Sequence, residues 1–124
     1  LLVDDDELVL RSLRRMLRLA GHQVTTALDG EDALAALRAH EVDLVLSDVW
    51  MPRMDGISLL RHVKEGRPDL PVILFTGLSM DHLGRDALAM GAAAFLQKPL
   101  EPSDLQRVIE DVTGMSADPQ TEET

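Results

Sequence analysis

The sequence predicts a doubly wound α/β sandwich, a three-layer fold in which helices cover both faces of a parallel sheet. Five short apolar runs alternate with five segments whose apolar residues recur about every 3.6 positions. Strands that are apolar throughout are typical of parallel sheets buried on both faces, and strand–helix–strand crossovers are right-handed. At 124 residues, the chain has room for one such domain with one continuous core.

The apolar runs define five predicted strands, each bounded by turn signals. The second run combines Val24 with Thr25 and Thr26, and this half-polar composition favours an edge of the sheet rather than its centre. In chain order, the predicted strands are Leu1 to Val3, Gln23 to Ala27, Val42 to Ser47, Pro71 to Phe75 and Ala93 to Leu96.

Each segment between or after these runs carries the pattern of an amphipathic helix. Gly21 and Gly91 follow the first and fourth patterns, where a left-handed C-terminal cap is expected. The apolar positions of the five helices are Leu10, Leu13, Leu17 and Ala20; Ala33, Leu34 and Leu37; Leu59, Leu60 and Val63; Leu83, Ala87 and Met90; and Leu105, Val108, Ile109 and Val112.

The predicted domain covers residues 1–113. Residues 114–124 are polar and aperiodic, which indicates a flexible tail or the start of a linker. Leu1 is not an initiating methionine, and Leu1 to Val3 already has the composition of a strand. We therefore expect that upstream residues are missing and that the chain is a fragment of a longer protein.

Composition and charge exclude several classes of partner. The 22 Asp and Glu residues outnumber the 12 Lys and Arg residues, for a formal net charge of -10, so direct nucleic-acid binding is not expected. No apolar run approaches the roughly 20 residues of a bilayer span, and no secretory signal opens the sequence. We expect a cytoplasmic protein without membrane association. The absence of cysteine excludes disulfides and thiolate metal sites.

Four of the five predicted strands are followed by residues with chemically active side chains. In open α/β sheets, ligands bind beyond the carboxyl ends of the strands. Separately, these residues have simpler explanations: an acidic run caps a helix, an Asp or Thr near Pro or Gly belongs to a turn, and a Lys is a surface charge. Together, the fold brings them to one edge of the sheet. They are Asp4, Asp5 and Asp6 after the first strand, Asp48 after the third, Thr76 after the fourth and Lys98 after the fifth.

Carboxylates that share a pocket repel one another unless a cation neutralises them. An all-oxygen set without His or Cys favours Mg²⁺, with Mn²⁺ as an alternative, and Mg²⁺ is commonly held by one or two carboxylates plus phosphate oxygens. The implied substrate is a phosphoryl group. Asp48 would act as the nucleophile on phosphorus, Lys98 and Thr76 would neutralise the phosphoryl oxygens, and Gly77 would leave space beside them.

Four segments carry these residues: Leu-Leu-Val-Asp-Asp-Asp-Glu, Ser-Asp-Val-Trp-Met-Pro-Arg-Met-Asp-Gly, Leu-Phe-Thr-Gly and Phe-Leu-Gln-Lys-Pro. In this order they resemble the successive signatures of the receiver domains of two-component response regulators, and the resemblance covers about residues 1–113. It implies a flavodoxin-like sheet with strand order 2-1-3-4-5. It also implies a signalling switch that accepts a phosphoryl group from a histidine kinase and catalyses only its own phosphorylation and dephosphorylation.

The resemblance implies a role for each site residue. Asp48 would be the phosphoacceptor, and Asp4 and Asp5 would hold Mg²⁺ directly or through water. The backbone carbonyl of Trp50 would complete the metal site. Lys98-Pro99 matches a position where receivers carry a cis peptide bond, which would direct the lysine inward.

Two acidic residues near these ligands are expected to be structural. Asp6 aligns with no ligand and is predicted to cap a helix or face solvent. Asp55, in the Asp55-Gly56 pair, matches a loop turn that follows the acceptor in the family.

The resemblance also implies how the signal leaves the site. Thr76 and Phe95 occupy the positions of a hydroxyl and an aromatic side chain that move together, although Phe95 is equally explained as a core residue of the last strand. The responsive surface would comprise the fourth helix, last strand and fifth helix. The implied partners are a sensor histidine kinase or phosphotransfer protein, and an effector domain or second copy on that surface.

Two departures from the family pattern concern the lifetime of the phosphoryl group. Trp50 and Leu78 are bulky, apolar, and flank the route of the attacking water, so we expect slower self-dephosphorylation than with Asn at position 50. Trp50 is alternatively an exposed aromatic contact for a partner. The four histidines lack ligand spacing and are assigned no role; they are His22, His40, His62 and His82.

Three other functions compete with the receiver interpretation. A phosphatase of the haloacid dehalogenase type needs a second Asp two residues after its nucleophile, and Trp50 stands there. A nucleotide-binding flavodoxin-like module would want a Gly-rich or Ser/Thr-rich loop after the first strand, where Asp4 to Asp6 stand instead. A pseudo-receiver that acts only as a phosphorylation-independent interaction module is disfavoured by the complete set of candidate site residues.

Overall fold

The computed structural model describes residues 1–77 and 81–114, except for the side chains of residues 81–83. Leu78 and the predicted tail after Gly114 lie outside the described residues. Within the described ranges, strands and helices alternate. In chain order they are β1 (Leu2–Val3), α1 (Glu7–Leu19), β2 (Thr26–Ala27), α2 (Gly30–Ala39), β3 (Val45–Asp48), α3 (Gly56–Gly66), β4 (Val72–Thr76), α4 (Asp81–Ala89), β5 (Ala94–Gln97) and α5 (Pro102–Thr113).

The strands form one parallel sheet in the order β2-β1-β3-β4-β5. The predicted flavodoxin-like order is confirmed, and so is the edge position of the second strand. β2 pairs with β1 alone and has two residues, which fits its half-polar composition. The registers bring the carboxyl ends of β1, β3, β4 and β5 to one edge of the sheet.

The observed strand bounds differ from the predicted runs in a consistent way. The run Val42 to Ser47 forms strand hydrogen bonds only from Val45 onward. Val42 packs against the core but is not part of β3. An apolar run therefore marks burial more reliably than strand pairing. At the other end, Asp48 and Thr76 are the last residues of β3 and β4, whereas they were predicted to follow those strands.

The core is divided by the sheet into two apolar clusters, because alternate strand residues point to opposite faces. On one face, Val3, Val45, Val72 and Leu74 pack with α2, α3 and α4; on the other, Leu2, Leu46, Ile73 and Phe75 pack with α1 and α5. The predicted inward positions are buried or partly buried wherever their side chains are described, and Leu83 lies outside the described side chains. The fully or largely buried helix residues are Leu10, Leu13, Leu17, Ala33, Leu59, Leu60, Val63, Ala87, Leu105 and Ile109.

Aspartates begin three of the helices. The side chain of Asp6 accepts hydrogen bonds from the N–H groups of Leu8 and Val9, and that of Asp55 accepts one from Ser58. Both residues therefore have the structural role that was predicted, in which a side-chain oxygen satisfies a free N–H of the first turn. Gly21 and Gly91 have φ angles of 96° and 106°, as expected for left-handed caps.

Candidate functional site

Three carboxylates meet at the carboxyl edge of β1 and β3. Val3 lies opposite Ser47 in the ladder, so Asp4 and Asp48 come next to each other one residue further on. One oxygen from each of Asp4, Asp5 and Asp48 lies within 4.8 Å of the others. Asp4 is 0% exposed and Asp48 is 7% exposed, whereas Asp5 faces solvent. The sheet thus places two buried acids and one exposed acid in a single cluster.

Local hydrogen bonds fix Asp4 in this cluster. Its N–H donates to the carbonyl of Ala27 at 3.2 Å, which extends the pairing of β1 with β2. Its Oδ1 accepts a hydrogen bond from the N–H of Asp6 at 2.9 Å. Because Asp6 in turn caps α1, the turn between β1 and α1 is held at both ends, and Asp4 keeps Oδ2 directed to the site.

Lys98 supplies the positive charge of the site. Its Nζ lies 3.0 Å from Asp4 Oδ2 and 3.5 Å from Asp48 Oδ2, and 5.1 Å from the centre of the Phe75 ring. Its backbone N–H donates to the carbonyl of Thr76 at 2.8 Å, and the Lys98-Pro99 peptide bond is cis, as predicted. Asp4, Asp48 and Lys98, which were predicted from three separate strand ends, therefore lie in direct contact.

The charges of the site act on each other. Burial and the nearby carboxylate of Asp4 raise the pKa of Asp48, with Lys98 and the backbone N–H groups of Trp50 and Val49 acting in the opposite direction. Burial disfavours the charged form of Lys98, but Asp4 and Asp48 outweigh it and raise the lysine pKa. Three carboxylates face one ammonium group, so the cluster keeps an excess of negative charge.

This donor set fits a hard divalent cation. All of its side-chain ligand atoms are carboxylate oxygens, which Mg²⁺ prefers, and the solvent-facing Asp5 leaves one side of the cluster open to water. Trp50 lies two residues after Asp48, in the loop that follows β3, and its side chain is 49% exposed. The residues present therefore match the predicted metal site in donor type and charge.

Thr76 and Gly77 form the wall of the site at the end of β4. Asp48 lies opposite Phe75 in the β3–β4 ladder, so Thr76 stands one residue beyond it, and its side chain is buried. A Cβ added to Gly77 would meet no described atom within 4 Å, so the space at this position is open. Phe95, on the neighbouring β5, is partly buried against the cluster that includes Ala87 of α4.

Two contacts near the loop of residues 49–55, which follows Asp48 and is called the acceptor loop, were not predicted from the sequence. Arg53 forms an ion pair with Asp29 at the start of α2, and Gly56 packs directly on the backbone of Asp48. The histidines stay outside the site where they are described: His22 contacts Gln106, and His62 contacts the carbonyl of Ser58.

The arrangement matches a known protein family. The profile described as the response regulator receiver domain matches residues 1–110. The chain belongs to this family. Receiver domains are signal-transduction modules of two-component systems, and the predicted assignment is confirmed. Among the described residues of this receiver domain, no helix is both long enough and apolar enough to cross a membrane.

Individual relatives agree with the family assignment. The receiver domain is 41% identical over 110 residues to the transcriptional regulatory protein ZraR of Salmonella typhimurium. The aligned residues make up 89% of this chain and 25% of that protein. The receiver domain thus spans about a quarter of the length of several curated relatives it matches. The receiver domain of NtrX from Brucella abortus superposes with a TM-score of 0.87 at 32% identity, covering 93% of this chain and 98% of that one.

A second solved structure bears on the chemistry of the site. The CheX–CheY–BeF₃–Mg²⁺ complex from Borrelia burgdorferi matches the receiver domain with a TM-score of 0.85 at 32% identity. The match covers 90% of this chain and 85% of that one.

Proposed function

We propose that this receiver domain is a phosphorelay switch in which Asp48 accepts a phosphoryl group from the phosphohistidine of a sensor histidine kinase or phosphotransfer protein. The observation that carries the proposal is the contact geometry of Asp48. Its carboxylate is buried next to Asp4 and lies 3.5 Å from the ammonium group of Lys98. A buried carboxylate next to a lysine is suited to nucleophilic attack on phosphorus, because the ammonium group can neutralise negative charge on the acyl phosphate that forms.

In the proposed transfer, a carboxylate oxygen of Asp48 attacks phosphorus, the P–O bond forms, and the P–N bond to the donor imidazole breaks. The imidazole leaves with the bonding electron pair and takes up a proton. Lys98 and Thr76 neutralise the oxygens of the transferred group. Charge stabilisation and positioning account for most of the rate in phosphoryl transfer, so a site made of fixed charges is sufficient. The proposed activity is confined to the domain's own phosphorylation and dephosphorylation.

Asp4, Asp5, Asp48 and the carbonyl of Trp50 would hold Mg²⁺, for which Mn²⁺ could substitute. The bound ion supplies positive charge for the phosphoryl oxygens and screens the acids from one another. The clustering of the three carboxylates supports this assignment. So does the Borrelia burgdorferi structure, which contains BeF₃ and Mg²⁺ in a complex with a homologous fold.

The proposed output is a change in the surface formed by α4, β5 and α5. Thr76 pairs with Gln97 of β5, and Phe95 pairs with Leu74 of β4, so the two proposed switch residues belong to adjacent strands. A Cβ on Gly84 of α4 would lie 3.3 Å from the Phe95 ring, which places the ring against that helix. Movement of Thr76 toward the phosphoryl group would thus change the packing of Phe95 and of α4. An effector domain or second copy of the chain would bind this surface.

Incubation with acetyl phosphate and Mg²⁺ tests the proposal. We expect the intact mass to increase by one phosphoryl group, and we expect the increase to be abolished by EDTA and by Asp48→Asn. Asp6→Asn is the matched control, because asparagine caps a helix as well as aspartate and Asp6 lies outside the carboxylate cluster. If wild-type protein gained no phosphoryl group, or if Asp48→Asn gained it equally, the phosphorelay function would be wrong and a phosphorylation-independent interaction module would be favoured.

Trp50→Asn is expected to shorten the lifetime of the phosphorylated form. The Trp50 side chain is half exposed, two residues after Asp48, and its indole has no acceptor with which to orient a hydrolytic water, whereas an asparagine amide has one. The rate of phosphoryl loss, followed by intact mass after removal of acetyl phosphate, should rise several-fold, which is less than the factor of about 10²–10⁴ that a full general acid or base contributes. Unchanged or slower decay would favour a role for Trp50 in partner contact.

A further inference from the structure

The loop that follows the phosphoacceptor contains an arginine in an unusual backbone conformation. Residues 49–55 connect β3 to α3, and Arg53 within them has a φ of 65°. Among the residues that the structure describes, it is the one residue other than glycine with a positive φ. Side chains with a Cβ disfavour this left-handed region, and glycine or asparagine is the usual occupant. A loop in this conformation needs stabilising contacts, and the arginine side chain forms several.

Those contacts join the loop to the first turn of α2. Arg53 Nε donates a hydrogen bond to Asp29 Oδ2 at 2.7 Å, and Nη2 forms an ion pair with the same oxygen. Further ion pairs of 3.4 Å reach Glu31 and Asp32. Exposed ion pairs alone are weak, but here one partner is buried and the guanidinium contacts several acids.

Asp29 is a rigid partner for this arginine. It is 6% exposed and is the N-cap of α2, where its Oδ1 accepts a hydrogen bond from the N–H of Asp32 at 2.9 Å. The N–H of Asp32 and the guanidinium of Arg53 also lower the pKa of Asp29, so its carboxylate stays ionised. One oxygen thus holds the helix, and the other holds the loop.

A second contact reinforces the first from the neighbouring residue. The N–H of Gly30 donates to the carbonyl of Met54 at 3.2 Å. A Cβ on Gly30 would lie 2.6 Å from Met54 Cγ, so only glycine lets α2 approach the loop this closely. Two consecutive loop residues, Arg53 and Met54, are therefore both bound to the first turn of α2.

We propose that Arg53 is a positioning residue for the metal site: its ion pair with Asp29 holds the 49–55 loop so that the carbonyl of Trp50 can complete the Mg²⁺ coordination. The inference rests on the proposed function, because it assigns Trp50 to that site. Mg²⁺ demands near-ideal octahedral geometry, so a small displacement of one carbonyl weakens binding. Residues that orient metal ligands without touching the metal typically affect affinity by about 10–100-fold.

Electrostatics and positioning predict opposite effects of removing the arginine. If Arg53 acted only through its charge, its loss would strengthen the binding of a cation at the nearby carboxylates. If it positions the loop, its loss weakens binding in spite of the improved charge balance. The direction of the change therefore separates the two explanations.

Arg53→Gly is the decisive variant, because glycine accepts a positive φ and keeps the loop conformation accessible. We expect the Mg²⁺ dissociation constant to increase about tenfold, measured by calorimetry and by the fluorescence of Trp50, the one tryptophan of the chain. Urea unfolding without Mg²⁺ checks that the variant is folded; its midpoint should fall modestly, because Asp29 loses its ionic partner. Arg38→Ala removes an exposed arginine from the end of α2 and should leave the Mg²⁺ dissociation constant as in wild type.

Asp29→Asn completes the test, because asparagine keeps the helix cap and removes the ionic partner of Arg53. Positioning predicts that the two single variants and the double variant weaken Mg²⁺ binding by the same factor. A pure charge effect predicts tighter binding for Arg53→Gly, weaker binding for Asp29→Asn and wild-type binding for the double variant; this result would overturn the inference alone. Wild-type protein that fails to bind Mg²⁺ would overturn the proposed function together with the inference.

Discussion

Lys98→Met is expected to lose about 3 kcal/mol of unfolding free energy at neutral pH without a divalent cation, because it leaves two buried carboxylates without their positive partner. In the wild type, the ammonium group lies 3.0 Å from Asp4 and 3.5 Å from Asp48. Methionine retains most of the length of the side chain and its packing over Phe75, so the charge is the main difference. Urea unfolding at pH 7 in EDTA measures the change. Phosphorylation by acetyl phosphate should also be lost.

The loss should depend on pH in a defined direction. Burial and Asp4 already raise the pKa of Asp48 in the folded protein, and removal of Lys98 takes away an opposing influence. A carboxyl whose folded pKa exceeds its unfolded value of about 4 favours folding when it is protonated. That contribution is fully present below the unfolded pKa and is lost as the pH rises through the folded pKa. The deficit of Lys98→Met should therefore shrink as the pH falls from 7 toward 4.

Mg²⁺ and a second substitution provide the controls for this charge argument. At ten times the wild-type dissociation constant, Mg²⁺ stabilises the wild-type protein by about 1.4 kcal/mol. At that same concentration we expect a larger gain for Lys98→Met, which should bind the ion more tightly because the ion takes over part of the lysine's role. Adding Asp48→Asn to Lys98→Met should restore stability, since one of the unpaired charges is gone. If the loss of unfolding free energy in Lys98→Met did not change with pH, with Mg²⁺ or with Asp48→Asn, it would instead reflect lost packing of the lysine stem.

The residues of this site were predictable because strand ends converge. Asp4, Asp48, Thr76 and Lys98 each stand at the carboxyl end of an apolar run, and the parallel topology brings such ends together whatever the lengths of the connecting helices. The exact strand bounds were not predictable, since a hydrophobic side chain such as that of Val42 can pack against the core without strand pairing. Their misplacement by a few residues did not change which side chains meet.

The support of the acceptor loop was not predictable by the same reasoning. Asp29 and Arg53 are 24 residues apart and share no periodic or motif signal, and Asp29 alone is typical of a helix cap. The positive φ of Arg53 is a property of the folded loop that its residue type does not indicate. Gly56 is different, because a glycine directly after a capping Asp is a visible signal, and the resemblance already marked this pair as a turn.

Gly56→Ala is expected to cost about 3 kcal/mol of unfolding free energy, because the added methyl group has no space. Its Cβ would lie 2.3 Å from the carbonyl oxygen of Asp48 and 2.9 Å from the Cα of Val49. Both are backbone atoms, so no side-chain rotation relieves the overlap. The N–H of Gly56 also donates to the carbonyl of Val49 at 2.8 Å, which ties the start of α3 to the same strand end. Urea unfolding of the variant measures the loss.

The substitution should also impair the site, because the atoms that must move are those of the phosphoacceptor. Displacement of the Asp48 backbone shifts its carboxylate relative to Asp4 and Lys98, so we expect weaker Mg²⁺ binding and slower phosphorylation in the fraction that remains folded. Gly66→Ala is the matched control in the same helix, since a Cβ there meets no atom within 4 Å. It should be neutral or stabilising by up to about 1 kcal/mol, with wild-type phosphorylation. Equal effects of the two substitutions on stability would contradict the close approach of α3 to Asp48. If Gly56→Ala lost stability but bound Mg²⁺ normally, the added methyl group would have displaced α3 rather than the backbone of Asp48.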